Sequence, residues 1–343
     1  MSTGIVKDWR FREHNMGPYH PESPQRIEAI YKMLEKEKIF SSYPIIEPRP
    51  AKEEEIEMIH TRSYVDMIKE TSGQEKVYLD PDTSTSPRSY EIALLAAGGL
   101  LKAADMIMDG KIQNAFALVR PPGHHAEASE ARGFCIFNNV AIATQHLIKK
   151  YGFKRILIVD WDIHHGNGTQ HAFYSRSDVL YFSTHQFPHY PGTGFWNEVG
   201  SGDGEGYTVN VPLSPGKADE DYLFIFQQIL SPIAAAYKPE FILVSAGFDI
   251  FEGDPLGGMG VSAKGFGALA AELMTLAHET AQERLLLTLE GGYNLFGLEG
   301  GVKNILLILA GQEKISPPKA RVSDSVEREL GPVFKAHKKY WPV

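Results

Sequence analysis

The stretch RILIVDWDIHHGNGT, residues 155–169, contains the clearest fold signal in the chain. After Arg155 it begins with an apolar, β-branched run, which is typical of a strand buried on both faces of a sheet. The run then changes abruptly to aspartates, histidines and glycines. Such a change is typical of the carboxyl end of a strand in an open α/β sheet, the place where ligands bind.

Similar apolar runs recur on both sides of this stretch. They predict strands at residues 115–119, 155–159, 179–182, 207–211, 241–245 and 285–289. Segments with apolar residues at three- and four-residue spacing lie between or beside them and predict helices at 91–108, 138–150, 219–236, 262–279 and 298–309. The alternation predicts the α/β class, with a single open, mostly parallel sheet, helices on both faces and an active site at the carboxyl ends of the strands.

The two ends of the chain carry weaker signals. Residues 1–87 are polar and favour helix, with one helix expected at 24–38. The end of the chain is charged and interrupted by prolines. We expect one domain over residues 1–343, with a core at about 14–311 and a tail at 312–343 that wraps back or serves as a contact arm.

Composition narrows the possible functions. The formal net charge is −9 and basic runs are short, which argues against direct nucleic-acid binding and weakly favours cationic substrates. No apolar stretch of about 18 residues predicts a membrane span, and no secretory leader is recognisable. The single cysteine, Cys135, has apolar neighbours, so we expect a buried, inert thiol rather than a nucleophile. These features predict a cytoplasmic protein.

Polar motifs follow five of the predicted strands. They are RPPGHH at 120–125, DWDIHH at 160–165, STH at 183–185, AGFD at 246–249 and EGGY at 290–293. Because the carboxyl ends of parallel strands meet at one edge of a sheet, we expect these motifs to converge on one site.

The alternation of Asp160, Asp162 and His164 predicts a metal site. Residues two apart on an extended segment point the same way, so Asp162 and His164 can bind one ion, and Asp249 can complete the set. Two carboxylates and one imidazole leave a position open, as in catalytic sites, and suit zinc, with ferrous iron as an alternative. Taken alone, the motif is also compatible with a polar strand end.

The adjacent histidines His124 and His125 predict acid–base chemistry, since imidazole titrates near neutral pH. Asp160 is available to hold one of them in its charged form, and Asn167 can hold the other without adding charge. Tyr293 follows two glycines and can donate to an oxyanion. The alternatives are a pair of solvated loop histidines and a tyrosine that only packs.

Together these motifs resemble the arginase/deacetylase superfamily, and within it the class II histone deacetylases and their bacterial amidohydrolase relatives, including acetylpolyamine amidohydrolases. The resemblance spans about 14–311 and includes the early run HPESPQRI at 20–27 and GFC at 133–135. It implies zinc-dependent hydrolysis of acetyl or short acyl amides.

The resemblance also implies a role for each motif residue. Zinc would bind to Asp162, His164 and Asp249. His125 would be the general base and then the acid, His124 with Asp160 would assist, Asn167 would hold His125, and Tyr293 would polarise the acetyl carbonyl.

Further family positions concern the substrate and a second cation. Residues implied to contact or surround the acyl-amine chain are Gly133, Phe134, Tyr190, Leu256 and, beside an internal acetate pocket, Arg26. A structural potassium ion would be held by Asp160, Asp162, His164, Ser183 and Thr184, and a peripheral one by the region of Phe173 and Val179.

Comparison with three groups of relatives refines the expected chemistry. Binuclear hydrolases of the arginase type carry extra metal carboxylates where this chain has Gly166 and Phe251, so one catalytic metal is expected. Class I deacetylases have an aspartate where this chain, like class II members, has Asn167. Tyr293 is present, unlike the histidine of vertebrate class IIa enzymes, so full activity is expected.

The substrate is the most open question. Where the polyamine-specific eukaryotic relative has a glutamate, this chain has Leu256, which favours acetyl-lysine in a protein or peptide. Glu252 and the acidic net charge keep acetylpolyamines as the alternative, although residues 69–90 are too short for the insertion of bacterial polyamine enzymes. A non-catalytic acyl-ligand binder is a third hypothesis. A homo-oligomer is possible; no membrane or nucleic-acid partner is expected.

Overall fold

Short apolar runs, mostly buried on both faces, form the centre of the molecule. The structure is a computed structural model that describes residues 2–313, 315 and 324–343, with only the backbone described at 324 and 325. Its main sheet has eight parallel strands in the order β2-β1-β5-β10-β9-β6-β7-β8. The strands are β1 Thr3–Val6, β2 Ile45–Ile46, β5 Asn114–Ala117, β6 Ile156–Asp160, β7 Val179–Gln186, β8 Thr208–Leu213, β9 Phe241–Ala246 and β10 Leu285–Leu289, and a small antiparallel pair is formed by β3 Val77–Tyr78 and β4 Ser84–Thr85.

Helices cover both faces of this sheet, since its apolar strands need partners on each side. The helices are α1 Pro24–Lys36, α2 Glu53–Ile56, α3 Arg62–Glu70, α4 Ser89–Met108, α5 Asn139–Tyr151, α6 Asn167–Phe173, α7 Asp219–Ile225, α8 Ser231–Tyr237, α9 Ala263–Thr280, α10 Leu295–Leu309 and α11 Asp324–His337. Helices α4 and α5 pack against each other, and α10 packs against both α1 and α9.

The predicted sheet and its long helices are confirmed, with shifts of a few residues at their ends. The helix expected at 219–236 is continuous but contains one π turn, Phe226–Leu230, between α7 and α8. The helix expected at 24–38 is present as α1, but residues 1–87 also contain strands that the sequence did not predict. Strands β1 and β2 extend the sheet beyond β5, and Gly4 pairs with Ala115. They are too short to show an alternating pattern.

The strand order places the polar motifs side by side. Strands β5, β10, β9, β6 and β7 are consecutive neighbours. Asp160 at the end of β6 pairs in register with Ser245 on β9 and with Ser183 on β7. The predicted convergence of the strand ends therefore follows directly from the topology.

The end of the chain packs back onto the sheet. Helix α11 contacts β8. Trp341 Nε1 donates a hydrogen bond to the carbonyl oxygen of Gly206 at 2.7 Å, and Lys217 Nζ lies 3.1 Å from a carboxylate oxygen of Glu329. Within residues 324–343 the wrapped-back alternative is thus the one observed; residues 314 and 316–323 of the expected tail lie outside the described residues. Among the helices that the structure describes, none is long and apolar enough to cross a membrane.

Candidate active site

Asp162, His164 and Asp249 come together at the carboxyl ends of β6 and β9. One ligand atom from each lies within 4.8 Å of the others, and all three residues are buried. His164 Nδ1 lies 3.1 Å from Asp162 Oδ1 and 3.3 Å from Asp249 Oδ2. Ligands bound tetrahedrally at about 2.0–2.1 Å lie about 3.3 Å apart, so the observed spacing fits a zinc-like ion.

The two carboxylates of this cluster and the space beside them also fit a bound cation. Burial and the nearby Asp162 carboxylate raise the pKa of Asp249 to about 7. Asp249 Oδ2 is buried and has no hydrogen bond of good geometry in the described chain. A Cβ at Gly291 would lie 2.1 Å from that oxygen and 2.6 Å from Asp162 Oδ2. The glycine therefore leaves room beside two crowded carboxylates that a divalent ion would neutralise.

The positions that would support a second catalytic metal carry no ligands. A Cβ at Gly166 would lie 2.3 Å from Asp160 Oδ2, so no side chain fits there. Phe251 is buried and packs on Gly297. In the part of the chain that the structure describes, one group of three or more His, Cys, Asp or Glu side chains has its ligand atoms close enough to hold a metal ion, namely Asp162, His164 and Asp249.

His124 lies on the charged side of the site. Its Nδ1 donates to Asp160 Oδ2 at 3.0 Å, and the same oxygen accepts a hydrogen bond from the Tyr181 hydroxyl at 3.0 Å. Burial opposes protonation of the imidazole, but the carboxylates of Asp160 and Asp162 outweigh it and raise the pKa of His124 to about 10. His124 is therefore a cation at neutral pH.

His125 has the opposite surroundings, although its ring centroid is only 4.0 Å from that of His124. Its Nδ1 donates to Asn167 Oδ1 at 2.8 Å, a neutral acceptor. Burial, followed by the charges of His124 and His164, holds the pKa of His125 well below its usual value. With the proton on Nδ1, Nε2 keeps a lone pair, which is the form that a general base needs.

The buried carboxylate of Glu290, whose motif was predicted at the site without a role for this residue, holds the histidine loop. Its Oε2 accepts hydrogen bonds from the backbone N–H groups of Gly123 at 2.6 Å and His124 at 3.2 Å. Its Oε1 accepts from Ser245 Oγ at 3.0 Å. Glu290 thereby ties the loop after β5 to the ends of β9 and β10.

Tyr293 is held by a second carboxylate, that of Asp254, which was not predicted at the site. Asp254 Oδ2 accepts from the backbone N–H groups of Tyr293 at 2.7 Å and Asn294 at 2.9 Å. The guanidinium carbon of Arg26 lies 5.1 Å from the Tyr293 ring centroid, and Arg26 Nε donates to the carbonyl oxygen of Gly292 at 2.6 Å. Burial and the Asp249 carboxylate raise the pKa of Tyr293, so its phenol stays protonated and able to donate.

A cavity of about 240 Å³ lies above the cluster. It is lined by Asp82, Pro122, His124, His125, Gly133, Phe134, His164, His189, Tyr190, Leu256, Gly291 and Tyr293. The predicted wall residues Phe134, Tyr190 and Leu256 are therefore all present at one cavity. Asp82 was not expected as a lining residue. The segment 189–194 was predicted to form one wall, and its first residue, His189, stacks on His164 with ring centroids 4.9 Å apart.

The wall residue Phe134 has an unusual backbone conformation. Its φ is +70°, which is rare for a bulky residue and indicates a conformation held by its surroundings. The Phe134 N–H donates to Thr83 Oγ1 at 2.9 Å. At neighbouring Gly133, with φ +52°, a Cβ would lie 2.4 Å from the His125 ring. The close approach of this loop to the base thus requires glycine.

Most of the remaining predicted residues lie near the same strand ends, whereas Val179 lies at the opposite, amino end of β7. Ser183 and Thr184 are buried on β7, beside Asp160 on β6. Phe173 and Val179 end α6 and begin β7. Arg26 is buried, and its second amino group donates to the Glu290 carbonyl oxygen at 2.5 Å. Cys135 is a buried free thiol whose pKa is raised by burial, as expected for an inert cysteine.

Known proteins share this architecture. A family model described as the histone deacetylase domain matches residues 20–309. A probable deacetylase of Archaeoglobus fulgidus is 39% identical over 99% of both chains. Histone deacetylase 5 of Arabidopsis thaliana is 38% identical over 99% of this chain, which spans 54% of that protein. The crystal structure of the HDA15 HD domain is similar with a TM-score of 0.93 and 39% identity, over 99% of this chain and 95% of that one. The chain belongs to the histone deacetylase family.

Proposed function

We propose that this protein is a zinc-dependent deacetylase that hydrolyses acetyl or short acyl amides of lysine side chains, releasing acetate and the free amine. The observation that carries the proposal is the unequal histidine pair beside a buried Asp-His-Asp cluster, at the base of a cavity. Membership of a hydrolytic deacetylase family supports the reaction class.

The proposed metal ligands are Asp162, His164 and Asp249. When bound there, zinc supplies a Lewis acid for the carbonyl and lowers the pKa of water to about 7, with ferrous iron as the alternative ion. We assign a structural potassium ion to Asp160, Asp162, His164, Ser183 and Thr184.

His125 performs the proton transfers in this proposal. Its Nε2 accepts the proton of the attacking water, and the imidazolium then donates that proton to the leaving amine nitrogen. His124 stays protonated against Asp160 and stabilises the negative charge that develops on the carbonyl oxygen. The Tyr293 phenol donates a hydrogen bond to the same oxygen.

Phe134 and Tyr190 form apolar walls for the alkyl chain of the substrate. Leu256 is uncharged at the cavity, which favours the plain butyl chain of acetyl-lysine. The carboxylate of Asp82 also lines the cavity and supports acetylpolyamines, with a second ammonium group, as the second candidate. We assign the activity to one domain over residues 1–343; the cytoplasmic location and the oligomeric state stay predictions.

A substrate panel tests the proposal. The purified protein, with its metal content measured, is assayed for kcat/KM on an acetyl-lysine peptide, acetylputrescine and acetylspermidine. We expect the peptide to be preferred. Preference for acetylspermidine would move the assignment to polyamines, and ligand binding without acetate release would support the non-catalytic binder.

A pair of variants at Leu256 tests the specificity argument. Leu256→Glu adds a carboxylate at the cavity and is expected to raise relative kcat/KM for acetylspermidine. Leu256→Gln is the control of equal size and is expected to leave the ratio close to that of the wild type. An equal change in both variants would contradict an electrostatic role for this position.

A further inference from the structure

The amide of Asn167 makes contacts beyond His125. Its Oδ1 accepts a hydrogen bond from His125 Nδ1 at 2.8 Å. On its other side, Asn167 Nδ2 donates to Glu127 Oε1 at 2.5 Å and to the His125 backbone carbonyl oxygen at 3.3 Å. Asn167 therefore lies between the base and a carboxylate outside the cavity.

These partners determine which way the amide faces. A carboxylate and a carbonyl only accept hydrogen bonds, so the NH₂ group of Asn167 must point towards them. The amide oxygen is then left for His125, and an oxygen acceptor at Nδ1 requires the Nδ1–H tautomer. Glu127 is the stronger of the two acceptors because it is charged and its bond is shorter.

Glu127 is in turn paired with His171 on helix α6. His171 Nδ1 lies 2.9 Å and 3.1 Å from the two Glu127 carboxylate oxygens. The His171 side chain is 52% exposed, whereas that of Glu127 is 18% exposed. A hydrogen-bonded series thus runs from solvent through His171, Glu127 and Asn167 to the base.

Burial and the neighbouring charged groups have opposing effects on the pKa values of Glu127 and His171. Glu127 hydrogen bonds raise the pKa of His171, the Glu198 carboxylate adds to this effect, and burial and Arg132 oppose it. Burial opposes ionisation of Glu127, but His171 and Asn167 lower its pKa. The two groups therefore favour each other's charged forms, an anionic carboxylate beside a protonated imidazole.

We propose that Glu127 and His171 are positioning residues that act through Asn167 to fix the Nδ1–H tautomer of His125. The proposal rests on the proposed deacetylase function. Glu127 supplies the acceptor that orients the Asn167 amide, and His171 holds the Glu127 carboxylate in place. Removing the carboxylate should therefore disturb the tautomer more than removing His171.

Glu127→Gln tests the acceptor while keeping the size of the side chain. A glutamine can offer either its oxygen or its NH₂ group to Asn167, so the tautomer is no longer fixed. We expect kcat for the acetyl-lysine peptide to fall on the order of 10-fold with KM nearly unchanged. Glu127→Asp keeps the carboxylate and should retain more activity than the glutamine variant. The reverse order would indicate that shape alone matters and would overturn the proposal.

A second comparison uses the outer residue of the series. His171→Gln keeps the Glu127 carboxylate and should lower kcat less than Glu127→Gln, with KM nearly unchanged. The exposed pair His278 and Glu283, with 3.1 Å between Nδ1 and Oε1, offers matched controls. His278→Gln and Glu283→Gln should leave kcat and KM unchanged. A larger fall in kcat for His171→Gln than for Glu127→Gln would overturn the proposal.

A direct measurement of the tautomer separates this inference from the proposed function. Nitrogen-15 NMR of the histidine rings in the metal-loaded protein, with His125→Ala to assign the signal, should show Nδ1–H in the wild type. Glu127→Gln should show a mixture. If the wild type releases no acetate but the tautomer still depends on Glu127, the positioning inference stands and the proposed function fails. If activity is present and the tautomer is unchanged in the variant, the inference fails alone.

Discussion

His124 and His125 are adjacent in the chain, but their hydrogen-bond partners differ in charge. On one side His124 donates to the buried carboxylate of Asp160, and its pKa rises to about 10. On the other side His125 donates to the neutral amide of Asn167, while burial and the charges of His124 and His164 lower its pKa. In the proposed mechanism, the charged partner of His124 and the neutral partner of His125 therefore help to distinguish the cation from the base.

The two sides also differ in their surroundings. Asp160 lies at the end of a central strand, where Tyr181 also donates to it, and is completely buried. Asn167 begins the short helix α6 and connects through Glu127 to the half-exposed His171. The charged side is enclosed by the sheet, and the neutral side is connected to solvent. The following predictions test this difference, in order of decreasing effect on turnover.

Alanine substitutions compare the two histidines directly. His125→Ala removes the base and is expected to lower kcat on the order of 10³–10⁴-fold. His124→Ala removes a cation that stabilises developing charge, with a loss on the order of 10²-fold. Steady-state kinetics at equal metal content measures both. Equal losses, or a larger loss for His124→Ala, would contradict the assignment.

Asp160→Asn makes the partner of His124 neutral. Without that carboxylate the pKa of His124 falls, and less of the protonated form is present at neutral pH. We expect kcat to fall about 10- to 100-fold. Tyr181→Phe, which removes only one hydrogen bond to Asp160, is the control and should lower kcat by a smaller factor. A wild-type kcat for Asp160→Asn with its metal retained would show that turnover does not depend on a charged partner for His124.

Asn167→Asp gives His125 the kind of partner that His124 has. A carboxylate raises the pKa of His125, and a base must be unprotonated to act. The acidic limb of kcat/KM should therefore move upwards by about one pH unit, with activity lost at low pH and recovered at high pH. The pH profile measures the shift, and movement to lower pH would contradict the account.

His60 extends the comparison to a buried neutral histidine without an acid–base task. Its Nδ1 donates to the Glu127 carbonyl oxygen at 2.8 Å and its Nε2 accepts from the Asn138 N–H at 2.9 Å, which requires the neutral form. Burial lowers its pKa from 6.5 to about 4. The folded state thus binds fewer protons than the unfolded state between these values. Stability present above pH 6.5 is lost as the pH falls towards 4, by about 3 kcal/mol.

Urea unfolding at a series of pH values measures this effect. In His60→Gln the free energy of unfolding should depend less steeply on pH over that range, while kcat changes little. The exposed His278→Gln is the control and should keep the wild-type slope. A wild-type slope in His60→Gln would show that His60 is not a source of the acid sensitivity.

The central sheet and the metal cluster were predictable because their signals are local. An apolar run followed by Asp160, Asp162 and His164 predicts both a strand and the position where it ends. Neighbouring parallel strands bring their carboxyl ends to one edge of the sheet. Strands β1 and β2 were missed because their few residues carry no periodic pattern; pairing with β5 and with each other forms them.

The supports of the site were not predictable from local sequence. Glu290 and Asp254 act on backbone N–H groups, which have no sequence signature, and Glu290 does so across 167 positions. The left-handed φ of Phe134 depends on Thr83, a contact that sequence spacing does not reveal. His189 approaches His164 only through the path of its loop. Residue types indicated the candidate reacting groups, but tertiary contacts determine how they are held.

A metal titration tests the central claim, hydrolysis with one metal, most directly. Chelated, metal-free protein is titrated with Zn²⁺ while acetate release from an acetyl-lysine peptide is followed, with Asp249→Ala as a variant lacking one proposed ligand. The account predicts no activity without metal, a linear rise to a plateau at one equivalent, and no recovery in the variant. Activity in the metal-free protein, or a plateau only at two equivalents, would contradict it.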